Sequence, residues 1–203
     1  MENTKHQIHD MNKKQLRSTL RKMLSRNISR QLQREKSKKA CRNLISTPEF
    51  QNASVIMMYL AIPDEADVTD AIISAWREDK VVIVPKVSWQ QKSMIPVRIE
   101  SLETVSIESA ISGLRNPANG VPVGVEEIDL VVAPGLGFDT KSNRLGRGGA
   151  YYDRFFADKK LKAKRCGFAF AEQVVDSVPT TDTDQRIDFL VTDEQIMYFK
   201  NNV

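Results

Sequence analysis

Between residues 134 and 156 the chain reads PGLGFDTKSNRLGRGGAYYDRFF. Gly135, Gly137, Gly146, Gly148 and Gly149 are spread through it, Arg144 and Arg147 stand among them, and Asp153 follows closely. Glycine lacks a Cβ and tolerates positive φ, so such a loop lets a ligand approach the backbone. Guanidinium groups offer paired donors matched to phosphate oxygens. A Gly-rich loop opening a helix also turns free N–H groups toward an anion. A carboxylate beside bound phosphates is a usual contribution to a magnesium shell. These residue types point to a phosphorylated ligand. The pattern is neither GxxxxGK(S/T) nor a GxGxxG after a first strand, so it is no standard phosphate loop. A Gly-rich turn with solvated arginines is the plainer reading of the same residues. Against it stands the coincidence of five glycines, two arginines, paired tyrosines and an acid between a strand and a helix.

Other segments must hold that loop in place. Short apolar runs over 55–60, 81–84, 94–99, 128–133, 165–170, 189–192 and 195–199 read as strands, the second stopped by Pro85. Helical spacing appears over 12–26 with Asn12 as N-cap, over 29–45, over 68–76 with Asp67 as N-cap, and over 148–160. The stretch 113–124, rich in Gly, Pro and Asn, reads as an irregular loop. Strands alternating with helices imply an α/β layered, mostly parallel sheet with helices on both faces, a Rossmann-like arrangement. Ligands collect outside the carboxyl ends of strands in such sheets, and the strand over 128–133 feeds the Gly-rich loop. With 203 residues and no internal repeat or linker, we expect one α/β domain over 12–203 behind a polar tail over 1–11.

Composition narrows the chemistry. Cys41 and Cys166 form no CxxC, and the only histidines, His6 and His9, lie in the polar tail, so neither a zinc site nor a histidine relay is expected. No apolar run approaches the roughly 18–20 residues of a membrane span. A cytoplasmic chain without a membrane partner is the expectation. Residues 1–46 carry thirteen Lys/Arg against three Asp/Glu, although the whole chain nets only +4. That basic stretch is either an acidic-ligand surface or a solvated helix face. No aromatic interleaving accompanies it, so nucleic acid is not expected as a partner.

The motifs PGLGFD and NRLGRGGAYYDRFF closely resemble the signature of the 5-formyltetrahydrofolate cyclo-ligase family. The likeness extends to KKQLR over 13–17, to VIMMYLAIPDEADV over 55–68 and to VPTTDTDQRIDFLVT over 178–192. It implies an enzyme that converts 5-formyltetrahydrofolate and ATP into 5,10-methenyltetrahydrofolate, ADP and phosphate, with Mg2+ as cofactor. A monomer is the favoured assembly. Residue by residue, the resemblance assigns Lys13, Lys14, Gln15, Leu16 and Arg17 to ATP. It does the same for Arg144, Leu145, Gly146, Arg147, Gly148, Gly149, Ala150, Tyr151 and Tyr152. Arg17, Leu60, Glu65, Arg147, Gly148, Gly149, Ala150 and Tyr151 would contact the folate, with Glu65 accepting from the N–H groups of the pterin. Arg147 would be catalytic, and Asp153 and Asp188 would bind magnesium. Tyr151 and Tyr152 would wall the folate or nucleotide, or one of them would pack in the core. Two departures stand out. The family usually has Gly where Ala150 stands, and some members carry Lys in place of Gly149. If residue 150 needs positive φ, alanine there costs on the order of 1 kcal/mol. Two other classes compete: an α/β enzyme acting on a sugar phosphate or acyl-CoA, and a non-catalytic folate or nucleotide binder.

Overall fold

The computed structural model describes residues 11–88, 90–103, 105–108, 114–118 and 120–199. The residues 1–10 with His6 and His9, as well as Gly113, lie outside them. Helices are α1 (Lys13–Asn27), α2 (Arg30–Ile45), α3 (Pro48–Asn52), α4 (Thr69–Arg77) and α5 (Tyr151–Phe156). The central sheet holds β1 (Val55–Met57), β2 (Val81–Ser88), β3 (Ser93–Arg98), β6 (Val121–Pro122), β7 (Leu130–Ala133), β10 (Lys164–Phe168), β12 (Phe189–Val191) and β13 (Ile196–Tyr198). Its order is β13-β12-β10-β7-β1-β2-β3-β6. The inner strands β12, β10, β7, β1 and β2 are parallel. Antiparallel strands close both edges. Two small sheets stand apart: β4 (Val105–Glu108) with β5 (Leu114–Pro117), and β11 (Val174–Val175) with β8 (Gly137–Asp139) and β9 (Arg144–Leu145).

The expected α/β class is what folds, and alternation explains why. Successive strand residues point to opposite faces. Ile56, Val82, Leu130, Val132 and Val191 join one core with Ala40, Leu44, Phe50, Ile72 and Ala75 of α2, α3 and α4. Met57, Ile83, Val131, Ala133 and Leu190 join the other, with Phe155 and Phe156 of α5. Strands buried on both faces must be apolar throughout, as these are. A third, smaller cluster seats Leu16 and Leu20 of α1 on Leu145, Val175 and Val178. A Cβ on Gly137 would come within 2.7 Å of Leu20, so glycine there is what lets α1 settle on β8.

Several local expectations are corrected. Pro85 does not stop β2, which continues to Ser88. The β1 pairing ends at Ile83, so beyond it β2 has no parallel neighbour whose ladder a proline would break, and Pro85 simply faces Pro96 of β3. The stretch 113–124 is not wholly irregular, since β5 and β6 fall within it. Asp67 is not the N-cap of α4, because Val68 holds that place; the Asp67 carboxylate instead accepts the Thr69 N–H at 2.9 Å. The helix expected over 148–160 shrinks to α5, because Gly148 (φ 111°) and Ala150 (φ 52°) are left-handed and cannot be helical. Asn12 does cap α1, in a capping box with Gln15.

Candidate active site

Strands added after β1 build outward to β2, β3 and β6, and the chain then returns to β7 on the other flank of β1. The loops leaving β1 and β7 at their carboxyl ends therefore part in opposite directions. A crevice opens at such a switch point in open α/β sheets. Here it is a cleft of about 620 Å³. The β1 loop contributes Tyr59, Leu60, Ile62 and Glu65, and β2 contributes Pro85 and Val87. Pro134 and Gly135 follow β7, and the segment from Arg144 to Asp153 forms the longest wall. Lys13, Arg17 and Arg21 descend from α1, and Thr181, Thr183 and Asp184 complete the rim.

The hinge of this wall is Asp139, which is fully buried. Its Oδ1 accepts the N–H groups of Lys141 and Asn143, and its Oδ2 accepts Val178 N–H and the Asn143 side-chain amide. That turn places β9 and hence Arg144, whose side chain is 3% exposed. Arg144 Nη1 donates to Pro134 O at 3.2 Å and Nη2 to Asp153 Oδ1 at 3.0 Å. Its guanidinium lies over the Tyr152 ring, 5.4 Å from the centroid. Arg144 Nε and the Tyr152 hydroxyl are both buried and have no hydrogen-bond partner among the described residues. A buried unpaired group of this kind costs about 1–3 kcal/mol, so its retention needs a reason.

Arg147 crosses the cleft. Its Nε donates to Glu65 Oε1 at 2.8 Å, and Nη1 and Nη2 donate to Asp64 at 3.1 and 2.7 Å. Glu65 Oε2 accepts the Ile62 N–H at 3.2 Å. Burial raises the Glu65 pKa above the usual carboxylate range, and Arg147 offsets that only in part. Burial works against the Arg147 charge, but Glu65 and Asp64 outweigh it and push its pKa up, so Arg147 stays cationic. Burial also raises the Tyr152 pKa, the Glu65 charge adds to the rise, and Arg144 opposes it. Tyr152 is therefore a neutral phenol. Between Gly146 and α5 the backbone is held open: Arg17 Nε donates to Gly146 O at 2.9 Å, and Gly148 and Ala150 adopt positive φ. Alanine at a left-handed position carries the steric cost of about 1–2 kcal/mol that glycine avoids.

The structure brings together most residues singled out in the sequence. Lys13, Arg17, Leu60, Glu65 and the whole run Arg144, Leu145, Gly146, Arg147, Gly148, Gly149, Ala150, Tyr151, Tyr152 and Asp153 line one cleft. Lys14, Gln15 and Leu16 do not. Helical spacing turns them away: Lys14 and Gln15 are exposed, Gln15 serves the cap, and Leu16 is buried in the core beneath α1. The same spacing brings in Arg21, four residues beyond Arg17, which sequence reasoning missed.

Asp188 is not at the cleft either. It precedes β12 at the amino edge of the sheet, where its Oδ2 accepts the Arg165 N–H at 2.7 Å and its own N–H donates to Arg165 O. A residue just before a parallel strand lies at the edge opposite the carboxyl ends, so it cannot join Asp153 there. Asp184 does. It pairs with Lys13 Nζ and accepts the Thr181 N–H, and the next residue, Gln185, donates its N–H to Asp153. Lys13 and the Thr181 contacts hold the Asp184 pKa below the usual range against the effect of partial burial. Asp153 and Asp184 are the carboxylates of the rim suited to magnesium, which takes one or two protein carboxylates when phosphates supply other oxygens. Among the described residues no group of three or more His, Cys, Asp or Glu stands ready to hold a metal without such a ligand. Also unforeseen were Tyr59, whose hydroxyl donates to Ala66 O, and Asp64, which had only its position beside Glu65 to mark it.

Residues 9–193 match the 5-formyltetrahydrofolate cyclo-ligase family. The mouse 5-formyltetrahydrofolate cyclo-ligase is 28% identical over 156 residues, covering 72% of this chain and 77% of the mouse protein. The Escherichia coli enzyme of the same name is 23% identical over 165 residues, 80% of this chain and 90% of its own. The NMR structure of Aquifex aeolicus 5,10-methenyltetrahydrofolate synthetase superposes with a TM-score of 0.79 at 30% identity over 95% of each chain. The Mycoplasma pneumoniae 5,10-methenyltetrahydrofolate synthetase shares the fold, with a TM-score of 0.71 at 22% identity over 90% of this chain and 99% of that one. A match over residues 9–193 makes this chain a member of the 5-formyltetrahydrofolate cyclo-ligase family.

Proposed function

We propose that this enzyme converts 5-formyltetrahydrofolate to 5,10-methenyltetrahydrofolate at the expense of ATP, releasing ADP and phosphate, with Mg2+ bound beside the phosphates. The observation that carries the reading is the mixed lining of the cleft. Tyr59, Leu60, Ile62, Pro85, Val87 and Met94 give it apolar and aromatic surface, with the buried Glu65 among its lining residues. Lys13, Arg17, Arg144 and Arg147 give the same cleft four cations, beside the backbone of Gly146 to Gly149. A flat pterin suits the apolar surface and a triphosphate the cations.

The chemistry asks for alignment more than for a protein nucleophile. A formamide oxygen leaves poorly. Its attack on the γ-phosphorus breaks the bond to ADP and makes an imidate-like phosphate. N10 then bonds to the activated carbon and loses its proton, and phosphate departs with the former formyl oxygen. Catalysis of such a transfer rests on positioning and on stabilising charge at the phosphoryl oxygens. Arg147 would supply that charge once its ion pairs with Asp64 and Glu65 give way to ligand, and Glu65 would then accept from the pterin N–H groups. Lys13 and Arg17 would orient the phosphates. Asp153 and Asp184 would hold the magnesium, which when bound neutralises phosphate charge. The reading includes a monomeric, cytoplasmic enzyme, with the chain from Asn12 onward acting as one domain. Neither nucleic acid nor a membrane is a partner in it.

The test is direct. Purified protein given 5-formyltetrahydrofolate, ATP and magnesium should produce the near-ultraviolet absorbance of the methenyl product with one ADP released per product. A protein that forms no methenyl-folate under these conditions is not this enzyme.

A further inference from the structure

The β2–β3 hairpin overhangs the central sheet. Parallel pairing of β1 with β2 ends at Ile83, where Met58 N–H adds a last bond to Ile83 O. From Val84 to Ser88 the strand β2 is paired with β3 alone. The overhang carries Pro85, Val87 and Met94 into the lining of the cleft. A two-stranded ribbon has little stability of its own, so its position depends on what braces it from outside.

Asn116 braces its middle, accepting the Val87 N–H at 3.0 Å and donating to Val87 O at 3.1 Å as a neighbouring strand would. Arg154 of α5 braces its tip, donating from Nη2 to Lys92 O at 2.6 Å. The same nitrogen donates to Gly149 O at 2.9 Å, and the guanidinium lies 5.1 Å from the centroid of the Tyr151 ring. Gly149 and Tyr151 belong to the Gly-rich wall of the cleft, whereas Arg154 itself does not line it. Lys92 (φ 49°) and Ala150 (φ 52°) are both left-handed. Such residues persist where their surroundings hold them in place, and one guanidinium nitrogen binds a carbonyl at or beside each.

We propose that Arg154 is a positioning residue: by joining Lys92 O to Gly149 O it fixes the spacing between the β2–β3 overhang and the Gly-rich wall, and with it the width of the cleft. The consequence for turnover rests on the functional reading given above; the brace itself does not. Hydrogen bonds at an exposed side chain add little to global stability, so the effect of Arg154 lies in where it holds the two walls.

Trypsin tests this directly, because it cuts the peptide bond after a lysine and Arg154 holds the carbonyl of the Lys92–Ser93 bond. In Arg154→Ala, cleavage at Lys92, followed by mass spectrometry under native conditions, should speed up on the order of tenfold, since proteolysis follows the population of the locally open form. Cuts at other sites should keep their rates, and the melting temperature should shift by at most a few degrees. The KM for 5-formyltetrahydrofolate should rise several-fold while kcat stays within about twofold, the split expected when ground-state and transition-state binding weaken together. Arg154→Lys should recover part of both effects, because an ammonium also offers several N–H donors at one point. An unchanged cut at Lys92 overturns the proposal, and so does a faster cut with an unchanged KM. Faster cleavage throughout the chain with a much lower melting temperature, or a lysine variant no better than alanine, overturns it as well, by showing that Arg154 serves only general stability. If the wild type does not turn over 5-formyltetrahydrofolate, the functional reading falls and takes the catalytic part of this proposal with it; if it does while Arg154→Ala matches it in KM and at Lys92, the proposal falls alone.

Discussion

Both edges of the central sheet carry a basic groove, and the two differ in what their polar groups are bonded to. At the amino edge a groove of about 370 Å³ is lined by Lys162, Lys164, Arg165 and Arg186 with Asp188. There Arg165 and Asp188 finish the fold. Arg165 Nη2 donates to Phe156 O at 2.8 Å, its guanidinium lies 5.1 Å from the Phe156 ring centroid, and Asp188 accepts the Arg165 N–H. At the carboxyl edge the fold leaves polar groups unfinished. Arg144 Nε and the Tyr152 hydroxyl are buried without partners, Arg147 is tied to carboxylates of another loop, and Ala150 is held left-handed. Similar residue types thus do opposite work, and the deciding fact is which end of the parallel strands they occupy.

The contrast breaks most visibly at Arg147. Arg147→Ala should lower kcat/KM by about 10²-fold or more, as losing a charge-stabilising contact does, in a protein that still folds but melts lower because Glu65 loses its cation. Lys162→Ala, on the amino-edge groove, should leave turnover as it is. Steady-state kinetics with melting curves for both variants decides the matter, and near-normal turnover in a folded Arg147→Ala protein removes Arg147 from the mechanism.

Aspartates sharpen the comparison next. Asp184→Asn should raise the magnesium concentration needed for half-maximal turnover several-fold, because one carboxylate of two is lost from a shell completed by phosphates. Asp188→Ala should leave that requirement alone and lower stability by about 1 kcal/mol, through the Arg165 N–H that loses its acceptor. Magnesium titrations that move together for the two variants would erase the distinction between the edges.

Glu65 gives a smaller, pH-dependent signature. Its pKa is raised on folding, so the folded protein binds the proton more tightly than the unfolded chain. Stability from this group is complete below the unfolded carboxylate pKa and is lost as pH rises through the raised folded value. Urea unfolding at a series of pH values should therefore show a fall in stability across that window which Glu65→Gln lacks. The smallest effect belongs to Ala150. Ala150→Gly relieves the left-handed strain while loosening the unfolded chain, for a net gain of roughly 0.5–1 kcal/mol, visible as a higher melting temperature. A lower melting temperature would mean that the strain at Ala150 is not a cost to the fold.

Much of this molecule was legible in the chain itself. Apolar runs at Ile56, Val82, Val131 and Leu190 declare strands buried on both faces, because no other short element needs an unbroken hydrophobic stretch. The Asn12 cap and the Gly-rich wall are likewise local, set by side-chain hydrogen bonding and by the absence of a Cβ. What tertiary structure decided is direction. Lys13, Arg17 and Arg21 face the cleft and Lys14, Gln15 and Leu16 do not, because α1 is seated by Leu16 and Leu20 on the small β8–β9–β11 sheet. Asp184 reaches Lys13 and the cleft while Asp188, four residues on, braces the far edge, because parallel pairing of β12 with β10 fixes which end of the strand each precedes. The sequence carried the residue types and their spacing. Only packing and register, which depend on contacts between residues far apart in the chain, could say which of those side chains meet.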